Sequence, residues 1–265
     1  ENDNIRQQNG NVYADSTKAT IKKVLKKFWK WLEGDNREYP AKVDWIDTTE
    51  TVPEIPALTF QQIKQLIEAA GNNRTKSFVA LLFETGARIE EFLNIRLSDI
   101  QKKDKGYYLV RIRTETSKTS GRSVCVTIFQ DYLKLRIQEL RKKHETDEET
   151  PKDPFLFDMK YNTCLKLLHR LGKRAIGERV HPHLLRHSSA TYFANIVPTH
   201  QQLCQMFGWS VSGKMAQRYI DKAGIHAEAI AEQVIENAIT KKQGDAGKAL
   251  VENRMLKREL DEDRQ

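Results

Sequence analysis

Residues 183–187 read His183-Leu184-Leu185-Arg186-His187. On an α-helix, side chains three and four apart share a face, so His183, Arg186 and His187 project together. Leu184 and Leu185 between them would pack such a helix on a core, with one end reaching a site. Taken alone, His187 reads as a structural histidine. The stretch belongs to a helical pattern over 184–195, and similar patterns occupy 130–143, 161–174, 200–207 and 226–240. Two β-rich runs, Tyr107–Arg113 and Ser123–Ile128, flank a Ser/Thr/Gly/Lys turn and predict a hairpin. The expected fold is mainly α with a small β-hairpin or sheet, an α+β class.

Further towards the amino terminus, Thr59-Phe60-Gln61-Gln62 is a capping box. It opens a helix with Ile63, Leu66 and Ile67 on its apolar face and Gly71 as its stop. Residues 77–84 predict a buried helix broken at Thr85-Gly86, with a short helix over 88–95. Ile21, Val24, Leu25, Phe28 and Leu32 recur at helical spacing, and Lys22, Lys23, Lys26, Lys27 and Lys30 take the other positions. That pattern predicts an amphipathic helix with a basic outer surface, solvated or laid against phosphates. Gly34-Asp35 ends it, and Pro40, Pro53 and Pro56 punctuate an extended connector. The chain therefore divides into 1–57, a partial helical module with its linker; 58–240, the main domain; and 241–265, a charged tail.

Forty-four Lys and Arg against 36 Asp and Glu give a net charge of +8. This points weakly to a polyanionic partner. No apolar run approaches the ~18 residues of a membrane span, and the mean hydropathy is −0.65. Cys125, Cys164 and Cys204 are odd in number and widely spaced, as reduced core residues are, and none has a metal-ligand spacing. No secretory signal is present. The chain begins at Glu1 without Met, as a trimmed fragment would.

Three further segments carry chemistry-bearing residues. In Thr85-Gly86-Ala87-Arg88-Ile89-Glu90-Glu91 the glycine permits a sharp entry into a helix. The first turn of that helix presents Arg88, where an anion is readily held. Glu91, three residues on, would orient or pair with that guanidinium. Ser117-Lys118-Thr119-Ser120-Gly121-Arg122 places Lys118 and Arg122 at the hairpin tip, positioned for a DNA groove. Gly208-Trp209-Ser210 ends a helix, and Arg218-Tyr219-Ile220 follows in a short amphipathic segment.

These four segments, in this order, resemble the tyrosine recombinase family of phage integrases and Xer-type resolvases. The family's first Arg in a T-G-x-R-x-x-E helix is matched by Arg88 with Glu91, and its hairpin Lys by Lys118. Its H-x-L-R-H motif is matched by 183–187, its Gly followed by His or Trp by Gly208-Trp209, and its nucleophilic Tyr by Tyr219. The resemblance covers about 58–240. Met206–Ser210, Lys214-Met215 and Tyr219-Ile220-Asp221 look most like archaeal members and their viral or plasmid integrases.

The resemblance implies DNA cleavage and rejoining through a 3′-phosphotyrosine, with no cofactor and no metal. Arg88, Arg186 and Trp209 would hold the phosphate, Tyr219 would attack it, and Lys118 would protonate the leaving oxygen. His183 would assist deprotonation of Tyr219, with Glu91 and His187 in support. Double-stranded DNA, bound partly through Lys22, Lys23, Lys26, Lys27, Lys30 and Arg122, is the implied partner. A homotetramer on two sites, exchanging a carboxy-terminal segment built on the helix at 226–240, is the implied assembly. The implied setting is the nucleoid of a prokaryotic, archaeal cell. Two departures stand out: Trp209 replaces the His of many relatives, and only one clear helix precedes residue 57. Two rival readings remain. One is a recombinase-derived protein that binds DNA without cutting, and the other is a relaxing enzyme of the type IB topoisomerase kind.

Overall fold

In a computed structural model of the chain, residues 12–33, 38–49, 55–116, 121–146, 151–197 and 199–223 are described. They fall into two units, Glu1–Ile55 and Pro56–Gln265.

The first unit holds helix α1 (Asp15–Leu32) and the short helix α2 (Ala41–Asp44). Lys26 donates to the carbonyls of Asp44 and Ile46 at 2.9 and 3.2 Å, and its ammonium lies 4.6 Å from the Tyr39 ring centroid. Lys30 sits over the same ring. Lys26 and Lys30, expected on an outer basic surface, thus make contacts within this unit, and Lys27 is exposed. The apolar stripe behaves in the opposite way from a core face: Val24 is 62% exposed, and Ile21, Leu25, Phe28 and Leu32 are exposed too. Among the described residues of this unit, Ala19, Val43 and Ile46 are the buried apolar ones. The expected extended connector contains α2, started by Pro40, whose fixed φ suits the position before a helix.

The second unit is organised on helix α4 (Asn73–Thr85), which follows α3 (Phe60–Glu68). The capping box of α3 forms as predicted, with Thr59 Oγ1 accepting from Gln62 N and Gln62 accepting from Thr59 N. Asn72 caps α4 by accepting from Thr75 N at 2.8 Å. From Ser77 to Thr85 every residue of α4 is buried, which explains the continuous apolar run Phe78–Phe83. The helix packs against α3, α6 (Gln130–Thr146) and α8 (Pro182–Ala194). The charged residue just after that run is buried as well: the Glu84 carboxylate accepts the backbone N–H groups of Thr127, Ile128 and Phe129 at 2.5, 2.6 and 2.8 Å. A helix carboxylate thereby satisfies the turn leading from the sheet into α6.

The sheet is antiparallel in the order β1 (Ile100–Lys102), β2 (Tyr108–Ile112), β3 (Arg122–Val126). The β2–β3 register pairs Tyr108 with Val126 and Ile112 with Arg122. The predicted hairpin is present, joined by a short first strand that the sequence did not announce. Alternation buries Tyr108, Val110 and Ile112 on β2 and Val126, Val124 and Arg122 on β3.

Helices α5 (Ile89–Leu93), α7 (Tyr161–Ile176), α9 (His200–Phe207) and α10 (Met215–Ala223) complete the described part. The helix predicted at 226–240 and the tail lie outside the described residues. Among the described residues no helix is long and apolar enough to cross a membrane. The mainly helical class with a small sheet agrees with the sequence reading.

Candidate active site

The site is assembled where the carboxyl ends of α4 and α9 meet α5, β3 and α8. Helix α4 stops at Gly86, whose φ of +54° is the left-handed conformation that glycine adopts without penalty. A Cβ there would lie 2.3 Å from Phe207 Cε1, so no larger residue fits. The reversal at Gly86 places Arg88 at the start of α5. Glu91, three residues on, accepts the Arg88 backbone N–H at 2.9 Å and its Nη1 at 2.8 Å.

Glu91 is buried and serves a second arginine. Arg122 Nη2 donates to Glu91 Oε2 at 2.9 Å, and Arg122 Nε donates to the carbonyl of Met206 at 2.9 Å. The next carbonyl, that of Phe207, accepts Arg186 Nη2 at 2.7 Å, and the Gly86 carbonyl accepts Arg186 Nη1. Arg186 therefore sits between two helix carboxyl ends, where unpaired carbonyls present partial negative charge. Burial first, then the neighbouring Arg88 and Arg122, draw its pKa down to about 10; Glu91 and Tyr219 oppose the fall. It remains a cation at neutral pH. Arg88 and Arg122 thus share the Glu91 carboxylate with Arg186 close by, so three cations face one internal anion, an arrangement that favours an incoming anion.

Tyr219, on α10, is 1% exposed. Its ring stacks on Trp209 at 5.0 Å between centroids and 6° between planes, and Trp209 stacks on Phe207. Its hydroxyl meets His187 Nδ1 at 2.5 Å. Burial is the first cause drawing the His187 pKa down to about 4, with His183 and Arg186 adding to it. Burial also raises the Tyr219 phenol above its ordinary value, against the pull of Arg186 and Arg218. At neutral pH a neutral phenol therefore meets a neutral imidazole, and in the tautomer protonated at Nε2 the His187 Nδ1 accepts the hydroxyl proton.

The structure brings together Arg88, Glu91, Arg122 and Arg186, and groups Trp209, Tyr219 and His187 beside Arg186. His183 lies exposed in the first turn of α8, its ring centroid 6.1 Å from that of His187. The imidazole on the phenol is therefore His187, which the sequence reading kept in support. Arg122, expected at an exposed tip, is instead 8% exposed inside the cluster. The inward parity of β3 was the available signal. His181, which sequence reading passed over, caps α8 by accepting from Leu184 N at 3.2 Å. Lys118 lies outside the described residues. Among the described residues no group of three or more His, Cys, Asp or Glu converges as a metal site would require.

Fold and site together define a mainly helical domain that presents three converging arginines beside a buried tyrosine. Residues 56–225 match the model of the phage integrase family, and the chain belongs to that family. It is 29% identical over 168 residues to the tyrosine recombinase XerA of Saccharolobus solfataricus, a match covering 63% of this chain and 50% of the relative. It is 30% identical over 183 residues to the XerA of Pyrococcus furiosus, covering 65% and 58%. The chain thus spans about half the length of these relatives. In fold it resembles a XerH site-specific recombinase bound to its palindromic difH substrate. That likeness has a TM-score of 0.63 at 17% identity, over 86% of this chain and 67% of that one. The XerA recombinase crystal structure is similar at a TM-score of 0.50 and 22% identity, over 85% and 76%.

Proposed function

We propose that this chain is a site-specific DNA recombinase that cleaves and rejoins double-stranded DNA through a phosphotyrosine at Tyr219. The observation that carries the reading is the contact of the Tyr219 hydroxyl with neutral His187, beside Arg186 and its companion arginines.

In the proposed reaction the Tyr219 oxygen forms a bond to the scissile phosphorus and the bond to the 5′ oxygen breaks. Charge gathers on the non-bridging oxygens, where Arg88 and Arg186 provide fork-shaped, charge-assisted donors and Trp209 adds its indole N–H. His187 accepts the phenolic proton, and the exposed His183 on the same face passes it towards solvent. Lys118 returns a proton to the leaving 5′ oxygen. A second 5′-hydroxyl then attacks the phosphotyrosine, which restores the backbone and frees Tyr219. The phosphodiester energy is retained in the covalent link, so the cycle needs no ATP. With 1% exposure the phenol is covered in this state, so DNA docking has to uncover it before attack.

The proposed partner is duplex DNA carrying two recombination sites, bound by a homotetramer, with the exposed Lys27 facing the backbone. The relatives from Saccharolobus and Pyrococcus support an archaeal host and the nucleoid as the place of action. The likeness to transposase A of Tn554, 28% identical over 149 residues, supports a role in a mobile element.

Nicked duplexes carrying candidate sites, incubated with the protein in EDTA, test the reading. The expected product is an SDS-resistant protein–DNA adduct that Tyr219→Phe abolishes. Binding without any adduct would favour a DNA-binding protein that does not cut. Relaxation of any plasmid, whatever its sequence, would favour topoisomerase-like action.

A further inference from the structure

We propose that Arg122 is a positioning residue that fixes Arg88 and Arg186 in one frame for a phosphate; the inference rests on the recombinase reading above. The resemblance assigns it no part in the chemistry, and an arginine at a hairpin tip would ordinarily be a solvated surface charge.

Its surroundings argue otherwise. Arg122 is the first residue of β3, and the strand's alternation turns it inward with Val124 and Val126. Its side chain is 3% exposed and the Glu91 carboxylate it touches is 1% exposed. Through Glu91 it is tied to both the backbone and the guanidinium of Arg88. Through the Met206 carbonyl it is tied to the last turn of α9, whose next carbonyl holds Arg186 and whose following residues carry Trp209. One planar group thus spans the supports of both phosphate-facing arginines. Lysine, a flexible point donor, lacks the rigid planar fork that holds these two acceptors in register.

Two features count against a purely stabilising role for the group. Arg122 Nη1 is sealed from solvent and has no hydrogen-bond partner, an arrangement that costs free energy. The cluster of Arg88, Arg122 and Arg186 also holds more positive charge than Glu91 balances, and Arg122 is among the groups that depress the Arg186 pKa. Buried ion pairs are often no better for stability than apolar side chains of similar volume. A phosphate arriving beside Arg88 and Arg186 supplies the missing negative charge, and Arg122 keeps the two forks aligned to meet it.

The test compares the whole wild-type chain with Arg122→Gln and Arg122→Lys in two assays. Inorganic phosphate is titrated first, followed by thermal melting and by the arginine Nε–H resonances. In wild type, phosphate should raise the Tm and shift the resonances of Arg88, Arg122 and Arg186 together. In Arg122→Gln the half-saturating phosphate concentration should rise about tenfold, the equivalent of one lost good contact.

The second assay is single-turnover adduct formation on the nicked duplex. Arg122→Gln should slow it about 100-fold, as loss of one preorganised donor does. DNA affinity should stay within about threefold, because a buried arginine contributes little to backbone counterion release. Arg122→Lys keeps the charge and loses the fork, so it should recover little of the rate; a merely structural cation would be rescued by it. Wild-type phosphate binding and adduct rate in Arg122→Gln would overturn the inference. If wild type forms no adduct while phosphate still separates the two proteins, the recombinase reading fails and the role of Arg122 stands. If Arg122→Gln does not fold, the wild-type titration decides. An Arg122 resonance unmoved by phosphate that saturates Arg88 would refute it.

Discussion

Tyr219 offers its hydroxyl to His187 Nδ1 across 2.5 Å, and both groups are uncharged at neutral pH. A buried phenol without an acceptor would leave its proton unsatisfied, and a protonated imidazole could not accept it. The two residues thus define each other's state. The same contact covers the proposed nucleophile and gives it a place to send its proton.

This pairing predicts a pH dependence of stability. His187 has a folded pKa of about 4 against an ordinary 6.5, so the unfolded chain binds the extra proton between those values. Its contribution to stability is fully present above about 6.5 and is lost as pH falls towards 4. Urea denaturation at pH 7, 6, 5 and 4 should show this decline, with a shallower slope in His187→Asn. Equal slopes would mean that His187 does not titrate in this way.

Gly86 is predicted to tolerate no side chain. Alanine there would have to adopt a positive φ and push Phe207 aside, while the Gly86 carbonyl must keep its hold on Arg186. Gly86→Ala should cost about 2–4 kcal/mol from left-handed strain and overpacking combined. Chemical denaturation measures it, and a change below about 0.5 kcal/mol, the usual range for surface sites, would contradict the packing described.

Glu91 is predicted to matter more to the fold than either arginine it serves. Glu91→Ala leaves Arg122 buried beside Arg186 with no internal counter-charge, and breaking a buried pair from one side costs about 3–5 kcal/mol. Inorganic phosphate should recover part of the loss by supplying an anion. A variant as stable as wild type, with or without phosphate, would show that Glu91 does not balance the cluster.

Much of this architecture was legible in the sequence because it rests on local signals. Thr59 with Gln62 forms the capping box that the spelling predicted, and Gly86 stops α4 where it was expected to. The 183–187 stretch sits on a helix as its spacing required. What escaped notice depends on long-range pairing. The buried helix over 77–84 was expected, but nothing local marks the donors to Glu84, which lie 43 to 45 residues away. Arg122 looked like a tip residue because its charge outweighed its parity in the strand. The order of the two histidines could not be read either, since α10 lies over His187 and its approach is fixed by packing rather than by a motif. The stripe on α1 was legible as amphipathic, but its spacing says nothing about what covers it.

Glu84 should behave as a structural carboxylate. Its acceptor bonds to three successive N–H groups close the turn into α6, and burial raises its pKa against their pull. Glu84→Gln puts an amide where a carboxylate accepted at both oxygens, leaving a buried N–H unpaired at a cost of about 1–3 kcal/mol. Faster amide exchange at Phe129 should accompany the loss; unchanged exchange there would contradict the bond.

The central claim is that Tyr219 becomes covalently joined to DNA, and peptide mapping of the adduct tests it most directly. Cleavage after Arg218 and Lys222 isolates Tyr219-Ile220-Asp221-Lys222. After nuclease trimming, mass spectrometry should find the residual nucleotide on that peptide, linked through the 3′ phosphate to the tyrosine oxygen. A nucleotide on any other residue, or a DNA complex in which that peptide is unmodified, would contradict the account.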